Sequence, residues 1–165
     1  MTTSKEWNGL SQTHIALINK HQLCCPIKLG ELAKELGLIV KLATLPANIS
    51  GEIKETNGLT TIRINRHDVK TRQRYTLAHE ISHFLLHKHL LREGITDDVL
   101  YRSAQSNKIE AEANRLAADI IMPMHHIDTY FKLYYKGQKD SILYEAIAES
   151  LNVSVVALKY RLGIK

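Results

Sequence analysis

His79-Glu80-Ile81-Ser82-His83 brings together the residue types that zinc-dependent hydrolysis needs. Two imidazoles four positions apart on an α-helix lie roughly 40° round and one turn along from each other, so both can reach one ion. Glu80 then stands on the flank, placed to take a proton from a polarised water and to pass it to a leaving amine. The expectation is a zinc site with His79 and His83 as metal ligands and Glu80 as general base, on a helix spanning about residues 69–87. On that helix Leu77, Ile81 and Phe84 lie roughly 140° to 200° round from His79, so burying them turns the histidines toward a cleft.

A catalytic zinc usually takes a third protein ligand and keeps one position open. His87 prolongs the histidine face but lies two turns from His79, which suits a capping or supporting role better than ligation. His89 has the spacing of a third metzincin histidine, but that site needs a glycine turn at position 86, where this chain has Leu86. A helix that continues through Leu86 carries His89 about 15 Å along the axis from His79.

The stretch from Lys108 to Met122, closed by Pro123, offers two glutamates. With Glu110 at 0°, Ile109, Ala113, Ala117, Ala118, Ile120 and Ile121 fall within about 100°, whereas Glu112, Arg115 and Asp119 take the opposite side. A carboxylate on a buried face is costly unless something compensates it, and a metal would do so; Glu110 is the expected third ligand. Glu112 is expected to stay solvated beside Arg115 and Asp119. Asn114, one turn beyond Glu110, is placed to hydrogen-bond a ligating histidine and fix its tautomer. The plain alternatives are a helix-start acid favoured by the dipole for Glu110 and a backbone-bonded buried amide for Asn114.

The elements that must position these groups read as an α+β fold. Residues 10–20 and Ile27 to Leu36 have helical spacing, the second opened by Pro26 and stopped by Gly37. Leu38 to Thr44, Ile49 to Lys54 and Leu59 to Asn65 read as short strands, with Asn57-Gly58 as a tight turn between the last two. A small, mixed or partly antiparallel sheet is expected to pack on the active-site helix. An irregular polar stretch, Arg92 to Asn107, should lead into the Lys108 helix. An extended substrate could add to an edge of the sheet as a β-strand.

With 165 residues, 44% hydrophobic and 24% charged, the chain should form one compact domain or one domain with a small appendage. No run approaches about 18 consecutive apolar residues, and the N-terminus lacks a hydrophobic signal core, so no membrane role and a cytoplasmic location are expected. Cys24 and Cys25 are adjacent, which suits neither an ordinary structural disulfide nor a zinc knuckle; reduced core thiols are expected. A formal charge of +5 permits an anionic partner such as nucleic acid without requiring one.

Arg74 through His87, Glu110 through Asn114 and Ile120-Ile121-Met122-Pro123 resemble the ImmA/IrrE family of metallopeptidases. Pro26 to Leu45 and Ser50-Gly51-Glu52-Ile53 extend the resemblance, which covers roughly residues 10–125. It implies a zincin-like fold with a thermolysin-like site: one Zn2+ per chain on His79, His83 and Glu110, with Glu80 as base. It also implies a protein substrate, a helix-turn-helix repressor of the Cro/CI type, whose cleavage relieves repression of target genes; composition carries nothing of that substrate. The chain departs from the family pattern at Ser82, where glycine is common, and in the 26-residue interval between His83 and Glu110, which bears on the cleft wall.

Ser141 to Ser150 and Ser154 to Leu162 read as two short helices joined around Asn152, with Ile147, Ala148, Leu151, Val153, Val155 and Leu158 spaced like the core of a helix-turn-helix. Lys159 and Arg161 could meet phosphates, yet two basic residues are too few to establish DNA binding, and the same pattern serves a helical pair that docks on the rest or grips a repressor. The expected division is a zincin-like metallopeptidase domain over 1–125 and a helix-turn-helix-like segment over 126–165 docked on it. Two functions follow: a zinc endopeptidase that inactivates a regulator, or a non-catalytic DNA- or protein-binding regulator, such as the toxin of a two-gene module, that retains the fold. Arg74, Tyr75, His125 and His126 are conceivable oxyanion donors, but each has an ordinary packing or surface explanation and none is assigned.

Overall fold

The computed structural model describes residues 3–98 and 104–165 of the chain. Alternating apolar residues build the sheet. In the strand β1 (Ile39–Ala43), β2 (Ile49–Thr56) and β3 (Leu59–Asn65) region, Ile53, Ile62 and Ile64 point inward and are buried, while Lys54 and Arg63 point out. Asn57 and Gly58 both take positive φ, 52° and 78°, and close the β2–β3 hairpin as the two-residue turn that their sequence announces. β1 joins β3 in parallel, and the sheet order is β1-β3-β2-β4.

The fourth strand, β4 (Ile95–Asp98), lies where an irregular stretch was expected. Its Thr-Asp-Asp residues carry no strand pattern of their own; the strand exists because it pairs antiparallel with the open edge of β2. The remainder of the stretch that falls on residues 99–103 lies outside the described residues.

Three helices precede the sheet: α1 (Lys5–Asn8), α2 (Gln12–His21) and α3 (Leu29–Glu35). Ser4 and Ser11 cap the first two by accepting hydrogen bonds from the backbone N–H groups of Trp7 and His14. The central helix, α4 (Lys70–Leu86), lies against β2 and β3 on one flank and against α5 (Ala104–Ile121) on the other. Pro123 ends α5 as anticipated and at once serves as N-cap of a further helix, α6 (Met124–Tyr134), which the sequence reading did not separate from the C-terminal segment.

The final helices are α7 (Asp140–Leu151) and α8 (Val155–Leu162), within one residue of the expected bounds. Asn152 in the left-handed conformation ends α7, Ser154 caps α8, and the two axes bend by 103°, in the range of a helix-turn-helix. Their buried residues Leu143, Ile147, Leu151 and Leu158 belong to the same apolar cluster as Ile18, Leu32, Ile62, Ile81 and Ile120. Arg161, one of the two cations that could meet phosphates, has only 9% of its side chain exposed. Its Nε donates to the Met122 carbonyl at 3.0 Å and its Nη2 lies 3.1 Å from Asp119, so this cation serves packing and is not available to phosphates.

One smaller expectation is also corrected. Cys24 is exposed, and Cys25 is half-buried beside α7, so the pair consists of free thiols at the edge of the core and not within it. Among the described residues, no single helix is long and apolar enough to cross a membrane.

Candidate metal centre

α4 runs through the middle of the molecule, and every residue from Thr76 to His83 is buried. Leu77 and Ile81 face the core as expected, with Phe84 half-buried at its margin. The histidine face is enclosed too, because α5 lies along it. Ala113 and Ala117, both fully buried, let the two helices approach closely enough for short polar side chains to meet between them.

At that contact the three expected ligands converge. His79 Nε2 lies 2.8 Å from Glu110 Oε2, His83 Nε2 lies 3.1 Å from Glu110 Oε1, and the two Nε2 atoms are 3.1 Å apart. Ligand atoms at about 2.0–2.1 Å from a tetrahedral zinc are separated by roughly 3.3 Å, so this triangle has nearly the right edges. Its chemistry fits as well: two imidazole nitrogens and a carboxylate point their lone pairs at one place, where only a cation or a proton relieves their repulsion. His79, His83 and Glu110 could therefore hold a metal ion.

Electrostatics keep His83 and Glu110 deprotonated. Burial, only partly opposed by the Glu110 hydrogen bond, pushes the His83 imidazolium down to about 4. Burial alone would raise the Glu110 carboxyl, whose side chain is 12% exposed, but the adjoining His79 and His83 imidazoles outweigh it and hold the group well below the usual carboxylate range.

Asn114 is where the helical spacing placed it. Its Oδ1 is 2.9 Å from His79 Nδ1, so it accepts the Nδ1–H and leaves the Nε2 lone pair directed at the ligand triangle. His87 also supports a ligand: its Nδ1 is 2.9 Å from His83 Nδ1. Glu112 departs from expectation. It is not simply solvated, because its Oε2 lies 2.9 Å from His87 Nε2. Asp119, placed with it on a supposed solvent face, is covered, and Arg115, still partly exposed, is partnered. Arg115 forks onto the Glu6 carboxylate of α1 at 2.7 and 3.1 Å, and Asp119 accepts from the Ser4 backbone N–H at 2.9 Å. A wheel drawn on one helix shows which residues share a side, not whether a second neighbour covers the other side.

Glu80 is fully buried, between α4 and the sheet, and Gly51 of β2 makes room for it. A Cβ at position 51 would stand 3.2 Å from Glu80 Oε1 and 2.5 Å from Thr76 Cγ2, so only glycine lets strand and helix come this close. His89 is exposed and outside the ligand cluster, as the rejection of a metzincin site required. The reason differs from the expected one, since α4 stops at Leu86 and the chain turns through Lys88–Leu90 as a single 3-10 turn.

Beside the ligands opens a cavity of about 490 Å3. His79, Glu110, Asn114, Tyr75, Ser50 and Arg72 line it together with Ser154 and, from α8, Val156 and Tyr160. Val156 and Tyr160 were not singled out from the sequence, because α8 meets the cleft only through the tertiary fold. Tyr75 donates to the Asn114 carbonyl at 3.3 Å and its phenol is pushed up by burial. Arg74 is spent on the Asn152 and Ile27 carbonyls, and His126 reaches the Gln22 carbonyl at 2.6 Å, which are packing roles.

Comparison with known proteins agrees with this arrangement. The profile of the peptidase M78 family, the IrrE N-terminal-like domain, matches residues 33–163. The chain belongs to that family. Among solved structures, a Mycobacterium tuberculosis transcriptional regulator has a similar fold, with a TM-score of 0.61 and 14% identity over 96% of this chain. The chain spans about half, 48%, of the length of that regulator. No curated protein matches it. The IrrE N-terminal-like fold thus joins the mixed sheet, the HExxH helix and the α7–α8 pair in one family match that runs through α8.

Proposed function

We propose that this IrrE-type chain is a cytoplasmic zinc endopeptidase, holding one Zn2+ on His79, His83 and Glu110, that cuts a helix-turn-helix repressor of the Cro/CI type and so relieves repression of target genes. The observation that carries the reading is the convergence of two Nε2 atoms and a carboxylate within 2.8–3.1 Å, beside a cavity open to a peptide. A zinc ion bound there supplies Lewis acidity, which acidifies water and polarises a carbonyl.

The residues do the remaining work. Glu80, fully buried one position after the first ligand, accepts the proton of the attacking water and returns it to the amide nitrogen as the C–N bond breaks. Asn114 holds His79 in the tautomer whose Nε2 lone pair faces Glu110 and His83. The cavity between Arg72 and α8 orients an extended segment of substrate and excludes bulk water from the bond being cut. The helix-turn-helix angle of α7 and α8 invites a DNA-binding reading, but the burial of Arg161 against Asp119 removes one of the two cations on which it rested.

The test incubates zinc-loaded wild type and Glu80→Gln with a candidate repressor under activating conditions. A single defined cut by the wild type, absent with Glu80→Gln, is the expected result. Intact repressor with both proteins, together with retardation of operator DNA by the wild type, would replace this reading with that of a non-catalytic regulator.

A further inference from the structure

The two histidines of the centre are anchored differently. His79 leans on a neutral amide, whereas His83 leans on a second histidine, which leans in turn on a carboxylate. We propose that His87 and Glu112 are positioning residues for the metal centre, a hydrogen-bond relay from Glu112 through His87 that fixes the tautomer and ring orientation of His83. This rests on His83 acting as a metal ligand, and not on what the centre cleaves.

Proton positions along the relay follow from what each group can do. The Glu112 carboxylate only accepts, so the His87 Nε2 at 2.9 Å must carry a hydrogen. A neutral His87 then has a bare Nδ1, which accepts from the His83 Nδ1–H at 2.9 Å. His83 is left with its Nε2 lone pair facing His79 and Glu110. The opposite tautomer would set two bare Nδ1 atoms against each other and aim an N–H into the ligand triangle. Water cannot readily substitute for these partners, because His83 and His87 are both buried.

The backbone supports the same conclusion. α4 ends at Leu86, and His87 leaves helical geometry at φ −127°, ψ 37° while its N–H still donates to the His83 carbonyl at 2.8 Å. The His87 ring lies between His83 of α4 and Glu112 of α5. Glu112, 20% exposed, stands at the outer end of the relay, with Lys108 Nζ 4.0 Å from its Oε1.

Zinc affinity, measured by competition with a chromophoric chelator, tests the relay in the whole chain without reference to cleavage. Glu112→Ala and His87→Ala should each weaken zinc binding about 10- to 100-fold. Glu112→Gln and His87→Asn, which keep an acceptor oxygen near the lost one, should recover most of that loss. In His87→Asn, the amide oxygen accepts from His83 directly, so adding Glu112→Ala should change affinity by less than about threefold. A simple packing role predicts instead that Glu112→Ala costs the same in both backgrounds, and that result overturns the proposal. So does a Glu112→Ala protein that keeps its circular dichroism and binds zinc as tightly as wild type. Failure of the wild type to bind zinc removes the relay and the peptidase reading together; tight zinc binding with the expected variant pattern and no repressor cleavage removes only the latter.

Discussion

Asp119 of α5 and Arg161 of α8 form an ion pair, Oδ1 to Nη2 at 3.1 Å, with 1% and 9% of their side chains exposed. Asp119 also takes the Ser4 N–H, so one carboxylate ties the N-terminal turn and the last helix to the helix that carries Glu110. The last helix is in turn a wall of the cleft, through Ser154, Val156 and Tyr160.

Removing one partner of a buried ion pair leaves the other charge uncompensated and typically costs about 3–5 kcal/mol. Arg161→Ala should therefore lower the thermal midpoint by roughly 10 °C, at about 2–4 °C per kcal/mol for a chain of this size. Because the lost contact holds α8, the variant should also lose substrate affinity in the cleft. Calorimetry showing a drop of less than about 3 °C would mean that α8 is held by its apolar contacts alone.

Gly51 should tolerate no side chain. The Cβ of Gly51→Ala would press on Thr76, a β-branched buried side chain of α4 that cannot swing away, and would crowd the Glu80 carboxylate. Overpacking of this kind costs about 1–3 kcal/mol, and the shift falls on the base and not on the ligands. The expectation is a large loss of turnover with zinc affinity kept within a few fold. Equal losses in both would show that the strand supports the ligands as much as it supports Glu80.

Acid should destabilise the metal-free chain in two stages. His83 has a folded value near 4 against an ordinary 6.5, so the unfolded chain binds its proton first and stability falls as pH drops from about 6.5 to about 4. Glu110 is depressed as well, so its contribution is present above its ordinary value of 4.5 and is lost as pH falls below it. The His83 stage alone amounts to roughly 3 kcal/mol, at 1.36 kcal/mol per unit. Urea unfolding of metal-free protein at pH 7.5, 5.5 and 4.5 checks this, with His83→Gln as the control that should flatten the first stage. A profile that is flat from pH 7.5 to 5 in the wild type would sink the argument.

Much of the centre was legible because it is local. The spacing of His79, Glu80 and His83 obeys the helical period, and the choice of Glu110 over Glu112 as the inward carboxylate follows from the apolar residues that share its face. Asn114 followed from the same wheel, and the Asn57-Gly58 hairpin from the positive φ that both residues tolerate. Each of these depends on the geometry of one element.

What only the tertiary structure decided depends on pairs of elements. β4 is a strand because β2 offers it an open edge, although its own residues show no alternation. Glu112, Arg115 and Asp119 looked solvated on their wheel, but Glu6 of α1, His87 just after α4 and Arg161 of α8 supply their partners, and Asp119 left unpartnered would have been too costly to bury. The helical spacing already gave His87 a supporting role, but that it meets Glu112 was decided by α5 lying alongside α4. The helical period states where a side chain points from its own axis; which groups meet it there is set by long-range packing, and that packing brought His79, His83 and Glu110 together in an enclosed cluster beside a cleft.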